Sequence, residues 1–405
     1  MNRFKKIAGS VVLAAALTVS SIGIAPAKTP VKAAETAVTI EELTAELNAV
    51  GAKIKSIAET STLKTSSAGT AAIMMAEMPD TPVATVPLEL DMDIDAASKV
   101  GHGRMPMPST DVTSMVSGDG QLPYEDLFMD LENSRMYIHD EKSGLDLVSE
   151  FPAASYLQGF GIGEGEGNMF TTLLSPQLLT AMKDFVTITK DTTTVNETPC
   201  AKVTVKIKLP KGVVSKYMDG MMSKIPDAFK SYTSMMDPKM MENVDVDASF
   251  VFYVDAEHTP LKIDENIALN GLSFNGLGIN IKMDLVTSFN ASTDKLSIPE
   301  DRIANAQVAP GYFTKAGDVS VLSSINDKGV SFFMVTGVNN VKAKKMTIPG
   351  SVKAFDKSYN VTQAVKDAFK KAKKLKTLIV KNATLKKELK KNPSKYGLSK
   401  KVKIK

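Results

Sequence analysis

The chain has 405 residues, 43% hydrophobic and 23% charged, the proportions of a globular protein rather than a disordered one. One cysteine, Cys200, excludes a disulfide framework and a thiolate-rich metal site, and three scattered histidines, His102, His139 and His258, argue against a histidine-rich metal centre. The net charge of +4 conceals a bipolar chain: residues 341–405 carry 21 lysines against three acids, a net +18, while residues 34–340 are net −19.

Arg3, Lys5 and Lys6 give a positive start, and Val11 to Ala25 is a short apolar run. Val31-Lys32-Ala33 then offers a cleavage site, with Ala25-Pro26-Ala27 as a second choice. That order of regions predicts a secretory signal peptide over 1–33. The mature protein is therefore expected to be secreted and associated with the cell envelope; a retained N-terminal anchor is the competing reading. Cys200 begins an alternating strand and reads as a small buried hydrophobe.

Thr39 and Glu42 form a capping box, and Ile40, Leu43, Leu47, Val50, Ile54 and Ile57 recur at helical spacing. Residues 59–83, rich in Ser, Thr, Ala and Pro, read as a mobile connection with a short helix around Ile73–Met78. The period then becomes two. Leu88, Leu90, Met92 and Ile94 alternate with acids, Leu127, Met129 and Leu131 follow, and Met136 and Ile138 come after a turn. Val203, Val205 and Ile207 form the next series, then Val244, Val246, Ala248, Phe250, Phe252 and Val254, and last Ile279, Ile281, Met283 and Leu285. Such alternation predicts at least seven antiparallel strands with one face toward a core and one toward water. Two helices interrupt them, one from Ser175-Pro176 to about Phe185 and one over about Val213–Phe229. They are the available cover for a one-faced sheet.

Several motifs fail on inspection. Gly161–Gly167 lacks a leading strand and the spacing of a phosphate loop, and Glu164 and Glu166 would repel phosphate. Asp91, Asp93 and Asp95 occupy alternate strand positions, the pattern of a solvated face rather than a calcium loop. No Ser-His-Asp or Cys-His arrangement stands out, so no enzymatic activity, cofactor or metal is expected.

Methionine is the one enriched residue, 18 of the 22 lying between Met74 and Met241. Its flexible, polarisable side chain suits surfaces that accept variable apolar shapes, and equally fills gaps in an ordinary core. On the first of these readings Met218, Met221, Met222, Ile225 and Phe229 line a cavity opposite inward strand residues Phe250, Phe252 and Met283.

The leading helix and the one-faced strands PLELDMDID, DLFMDLENSRMYIHDEKSGLDLVSEF and DVDASFVFYVDAEHTPLKI precede the close INIKMDLVTSFNASTDKLSIPEDRIANA. Together they resemble the LolA/LppX-like lipoprotein-carrier superfamily over about residues 36–306. The resemblance implies an α+β fold, a curved antiparallel half-barrel sheet wrapped around helices, with an apolar cavity for a lipid-like ligand. The chain departs from the family in lacking a lipid-anchor cysteine and in carrying the 59–83 segment.

Residues 346–405 hold a short strand MTIPGSV, then Lys357-Ser358-Tyr359-Asn360-Val361-Thr362, then Ala368-Phe369-Lys370 through Leu375-Lys376-Thr377. Leu378, Ile379 and Val380 continue as a strand, and Val402 and Ile404 supply a closing one. This stretch resembles the end of a BspA-type leucine-rich-repeat array, which implies a small C-terminal repeat module. Its lysines Lys370, Lys371, Lys373, Lys374, Lys376, Lys386, Lys387, Lys390 and Lys391 either solvate the repeat face or bind an anionic cell-wall polymer or membrane surface. No specific nucleic-acid partner is expected.

The expected organisation is a signal peptide over 1–33, a half-barrel domain over 34–306, a connecting segment over 307–345 and a basic module over 346–405. The expected function is non-enzymatic binding of a hydrophobic ligand. The alternative is a cell-surface interaction or adhesion protein whose half-barrel is only a scaffold.

Overall fold

The computed structural model describes residues 36–106, 124–140, 143–154, 157, 174–213, 243–274 and 277–405. They fall into two units: one runs to Ser134 and resumes over Pro152–Ile298, the other comprises Arg135–Phe151 and Pro299–Lys405.

The first unit opens with β1 (Thr36–Ala37), helix α1 (Ile40–Thr60), β2 (Thr62–Met75), β3 (Met78–Asp95), β4 (Val100–Pro106) and β5 (Tyr124–Asp130). The hairpin β6 (Arg135–Asp140) and β7 (Leu145–Glu150) belongs to the second unit. The first unit resumes with α2 (Pro176–Ala181), β8 (Val186–Val195), β9 (Thr198–Leu209), β10 (Asp245–Val254), β11 (Pro260–Phe274) and β12 (Leu277–Ser292). Its strands build a large curved sheet in the order β1-β8-β9-β10-β11-β12-β2-β3-β4-β5. Every neighbouring pair in that order is antiparallel.

Helix α1 starts where the capping box predicts. The Glu42 backbone N–H donates to Thr39 Oγ1 at 3.1 Å, and the Thr39 N–H donates to Glu42 Oε2 at 2.8 Å. Leu43, Leu47, Val50, Ile54 and Ala58 recur at three- and four-residue spacing, so they share one face, and all are buried. That face joins the inward strand residues in one core, with α1 against β2, β3 and α2. Ser175 caps α2 as expected, accepting from the Leu178 N–H at 3.3 Å.

The 59–83 segment departs from expectation. It forms no connection and no helix at Ile73–Met78; β2 and the start of β3 occupy it, and β2 pairs along its whole length with β12. Its alternation is present but written in small residues: Leu63, Thr65, Ser67, Ala71 and Ile73 are buried, while Ser66, Ala68 and Thr70 are exposed. Small inward side chains let α1 lie close over the strand, and a hydrophobicity pattern does not register them.

The second unit places β13 (Gln307–Val308) parallel to β7. It continues with β14 (Phe313–Ala316), β15 (Val319–Ile325) and β16 (Ser331–Val338), then β17 (Lys345–Ile348), β18 (Ser351–Ala354) and β19 (Lys357–Ala364). Last come β20 (Thr377–Val380), α3 (Ala383–Lys391) and β21 (Lys403–Ile404), a helical turn at Glu300–Asn305 having preceded β13. The sheet order is β14-β15-β16-β19-β18, and a second sheet, β17-β20-β21, is parallel. Residues 307–345 are therefore strands with buried Val308, Val319, Val321, Phe333 and Val335, not a connecting segment. The boundary near 306 also fails for Arg135–Phe151, which packs with the later residues. In β6 the buried side chain is Tyr137, while Met136 and Ile138, the expected inward pair, are half-buried.

The strand expected over MTIPGSV is divided, Lys345–Ile348 joining the parallel sheet and Ser351–Ala354 the other, while the strands expected at 378–380 and 402–404 are present at Thr377–Val380 and Lys403–Ile404. Met346, Ile348 and Leu378 are the parallel sheet's most buried residues.

Candidate functional site

Antiparallel register sets side chains into rows across the inward face of the first sheet. The central row runs Ile188, Val205, Phe250, Glu265, Leu285, Gly69, Leu88 over seven strands. The row beside it holds Val203, Phe252, Ile263, Thr287 and Ser67, and the row on the other side holds Ile207, Ala248, Ile267, Met283 and Ala71. Phe250, Phe252 and Met283, the expected cavity wall, are thus on one face and in one core cluster with α1. The structure packs them at 6%, 3% and 4% exposure, so their own share of the face is covered. Met218, Met221, Met222, Ile225 and Phe229 lie outside the described residues, as do the 1–33 segment, Gly161–Gly167 and all of the helix expected over Val213–Phe229 except Val213.

One inward residue is out of keeping with its row. Glu265 sits between Phe250 and Leu285 and is 1% exposed, yet neither carboxylate oxygen has a hydrogen-bond partner. Burial, with Asp264 next to it as the lesser cause, pushes its carboxyl well above the usual carboxylate range. Burial thus favours the protonated form, which carries one O–H donor and one carbonyl acceptor. Diagonally from it, Ser67 Oγ and Thr287 Oγ1 are 2.8 Å apart and buried, so a polar stripe of Glu265, Thr287 and Ser67 crosses an otherwise apolar face.

Asp264 points to the opposite face of β11. Tyr253 Oη donates to its Oδ2 at 2.8 Å, and Lys262 Nζ lies 2.7 Å from its Oδ1 as an ion pair without hydrogen-bond geometry. Burial and this carboxylate together push the Tyr253 phenol up strongly. Asp264 has a donor and a cation; Glu265 has neither.

Glu265 is not among the site residues expected from the sequence, although its signal is present there. Ile263-Asp264-Glu265-Asn266-Ile267 places an acid at the inward position of a period-two segment, midway between two isoleucines. The expected solvated aspartate face also needs correction at one end. Asp91 is exposed and Asp93 half-buried opposite His102, but Asp95 is buried, accepting from the Ser98 N–H at 2.8 Å and the Leu296 N–H at 3.2 Å. Cys200 is buried and unpaired by any disulfide, and burial raises its thiol.

In the second unit, Lys370, Lys371, Lys373, Lys374 and Lys376 are exposed on the turn before β20, where Ala368, Phe369, Ala372 and Leu375 face inward. Asn382 caps α3, accepting from the Leu385 N–H at 3.0 Å. Leu385 and Leu389 anchor that helix, which leaves Lys387, Lys390 and Lys391 exposed and Lys386 half-buried. The three acids of this segment are each satisfied by a cation: Asp356 by Arg135 at 2.8 Å, Asp367 by Lys370 at 3.8 Å and Glu388 by Lys395 at 3.9 Å. Glu388 also accepts from Tyr396 Oη at 2.9 Å and from Asn392 Nδ2 at 3.0 Å. Of the nine lysines, only Lys370 forms an ion pair among the described residues, and Lys391 lies within electrostatic reach of Glu388.

No helix among the described residues is long and apolar enough to cross a membrane. No group of three His, Cys, Asp or Glu among them is placed to hold a metal ion. No family model matches the sequence, and no curated protein matches it either.

Proposed function

We propose that the chain is an exported, non-enzymatic binding protein whose first unit is a LolA/LppX-like half-barrel that holds a lipid-like ligand against the inward face of its sheet. The observation that carries this reading is the face itself: a broad apolar wall of Phe250, Phe252, Ile263, Ile267 and Met283 interrupted by a carboxyl that nothing in the chain satisfies. A wall built only as core has no use for such a group, because an orphaned buried polar atom costs stability. The tight packing of Phe250, Phe252 and Met283 is what favours the second reading, a surface interaction protein in which the half-barrel is scaffold. A fluorescent fatty-acyl probe titrated into the full chain decides between them. Saturation at one probe per chain, with a melting temperature that rises with probe concentration, is the expected result, since a ligand selective for the folded state stabilises it by mass action. No saturable uptake would leave the scaffold reading.

The second unit, on this account, is a BspA-type repeat module that attaches the protein to an anionic cell-wall polymer or membrane surface. Removing residues 341–405 would delete Met346, Leu378 and other core residues, so charge reversal is the cleaner test. The full chain should sediment with phosphatidylglycerol vesicles at ~0.15 M salt and be released at ~1 M, where the Debye length falls to ~3 Å. Lys371, Lys374, Lys387 and Lys391 changed together to Glu should weaken that binding by about tenfold or more. Equal binding by the variant, or binding insensitive to salt, removes these lysines from the mechanism.

A further inference from the structure

We propose that Glu265 is the polar anchor of the ligand site, and that the head group it takes is uncharged and both donates and accepts a hydrogen bond, a hydroxyl or carboxamide as in a monoacylglycerol. The inference rests on the reading that the inward face of the first unit takes an amphiphile, and it adds the chemistry of that amphiphile's head.

Three observations carry it. Both Glu265 oxygens are buried without a partner, so the folded chain leaves a hydrogen-bonding group unused in the middle of its seven-strand row. The groups facing Glu265 are uncharged: Phe250 and Leu285 lie opposite it on β10 and β12, and Ile263 and Ile267 flank it on β11. The buried face of α1 contributes only Leu43, Leu47, Val50, Gly51, Ile54 and Ala58, and the one nearby charge is Asp264, which is engaged on the opposite face. Finally, Thr287 is the diagonal neighbour of Glu265 on β12, at a spacing of about 7–8 Å for such positions, and its hydroxyl bonds Ser67 on β2, one strand further. Each hydroxyl keeps an acceptor lone pair beyond the bond they share.

The chemistry of the head follows from the absence of a cation. Among the described residues no positive group faces Glu265 and Asp264 is adjacent, so burying a fatty-acid carboxylate there is unfavourable. An ammonium would have to ionise Glu265 and then desolvate both members of the pair, for which the Coulombic gain in an apolar surround is poor compensation. A hydroxyl or carboxamide meets the neutral carboxyl donor to acceptor and acceptor to donor, with no charge transferred to the interior. A glycerol head has a second hydroxyl that reaches toward Ser67 and Thr287.

The test uses the full chain with monoolein, oleate and oleylamine as probes, which share one acyl length and differ at the head. Monoolein should bind one per chain and about tenfold or more tighter than either charged probe at neutral pH. Glu265→Gln, which keeps a donor and an acceptor, should hold monoolein within about threefold of the parent. Glu265→Leu should lose about tenfold in monoolein affinity while melting at a higher temperature than the parent, a combination that a purely structural carboxyl would not give. Equal affinity for monoolein and oleate, preference for oleylamine, or undiminished monoolein binding by Glu265→Leu overturns the head-group assignment while leaving ligand binding intact. A lower melting temperature for both variants also overturns it, since Glu265 would then be a structural residue. If none of the three probes binds the parent chain, the binding function itself fails and this inference with it.

Discussion

Gly69→Ala should destabilise the full chain by about 1–3 kcal/mol, read as a lower midpoint of urea unfolding. A Cβ at Gly69 would overlap the Asp284 carbonyl oxygen and sit 2.6 Å from Leu285 Cα. Both atoms are backbone, so no side-chain rotation relieves the contact and β12 must move away from β2. The residues that would shift with β12 are Leu285, which pairs with Glu265, and Met283 and Thr287 on the same face. Ala68 is the internal control. It is exposed on the opposite face, and Ala68→Ser should change stability by no more than about 0.5 kcal/mol. Indifference of the protein to Gly69→Ala would mean that β2 and β12 do not approach as described.

Glu265→Leu should raise stability at neutral pH by about 1–3 kcal/mol, the cost typical of a buried polar group left without a partner. Glu265→Gln separates the proton-linked part of that cost. In the folded chain the Glu265 carboxyl is raised well above its ordinary range, whereas in the unfolded chain it titrates near ~4.3. Below that value both states carry the proton and the linkage vanishes. As pH rises above it the unfolded state releases its proton while the folded state keeps its own, so the wild-type chain loses stability across that window and remains penalised at higher pH. The advantage of Glu265→Gln over the parent should therefore grow from about pH 4 upward and disappear below it. Urea unfolding at several pH values from 4 to 8 measures this directly, and a Gln variant less stable than the parent at pH 7 would contradict the buried, unpartnered carboxyl.

What the sequence disclosed and what it hid divide along physical lines. Helix α1 was legible because its cap is local: Thr39 and Glu42 bond each other three residues apart, and the apolar face repeats within the same helix. Strands β3, β9, β10 and β12 were legible because their inward residues are large and apolar. Strand β2 was not, since Thr65, Ser67, Gly69 and Ala71 write the same alternation in residues that composition assigns to loops. Its pairing with β12, more than 200 residues away, has no local trace. Strands β15 and β16, seven and eight residues long, were missed although Val319 with Val321 and Phe333 with Val335 alternate inward, and the allegiance of Arg135–Phe151 to later residues is a tertiary fact that chain order conceals. Glu265 was overlooked for a different reason. An acid in an alternating strand is ordinarily assigned to the solvent side, and only counting inward from Ile263 and Ile267 shows that it belongs with them.

The central claim is that the inward face of the first sheet holds an apolar ligand with an uncharged head. Native mass spectrometry of the full chain, purified from its own host without detergent, tests it most directly. The account predicts a population heavier than the bare chain by one neutral acyl-bearing molecule, released on activation and much reduced in Glu265→Leu. A chain found only at its bare mass, and still bare after incubation with monoolein, would contradict it.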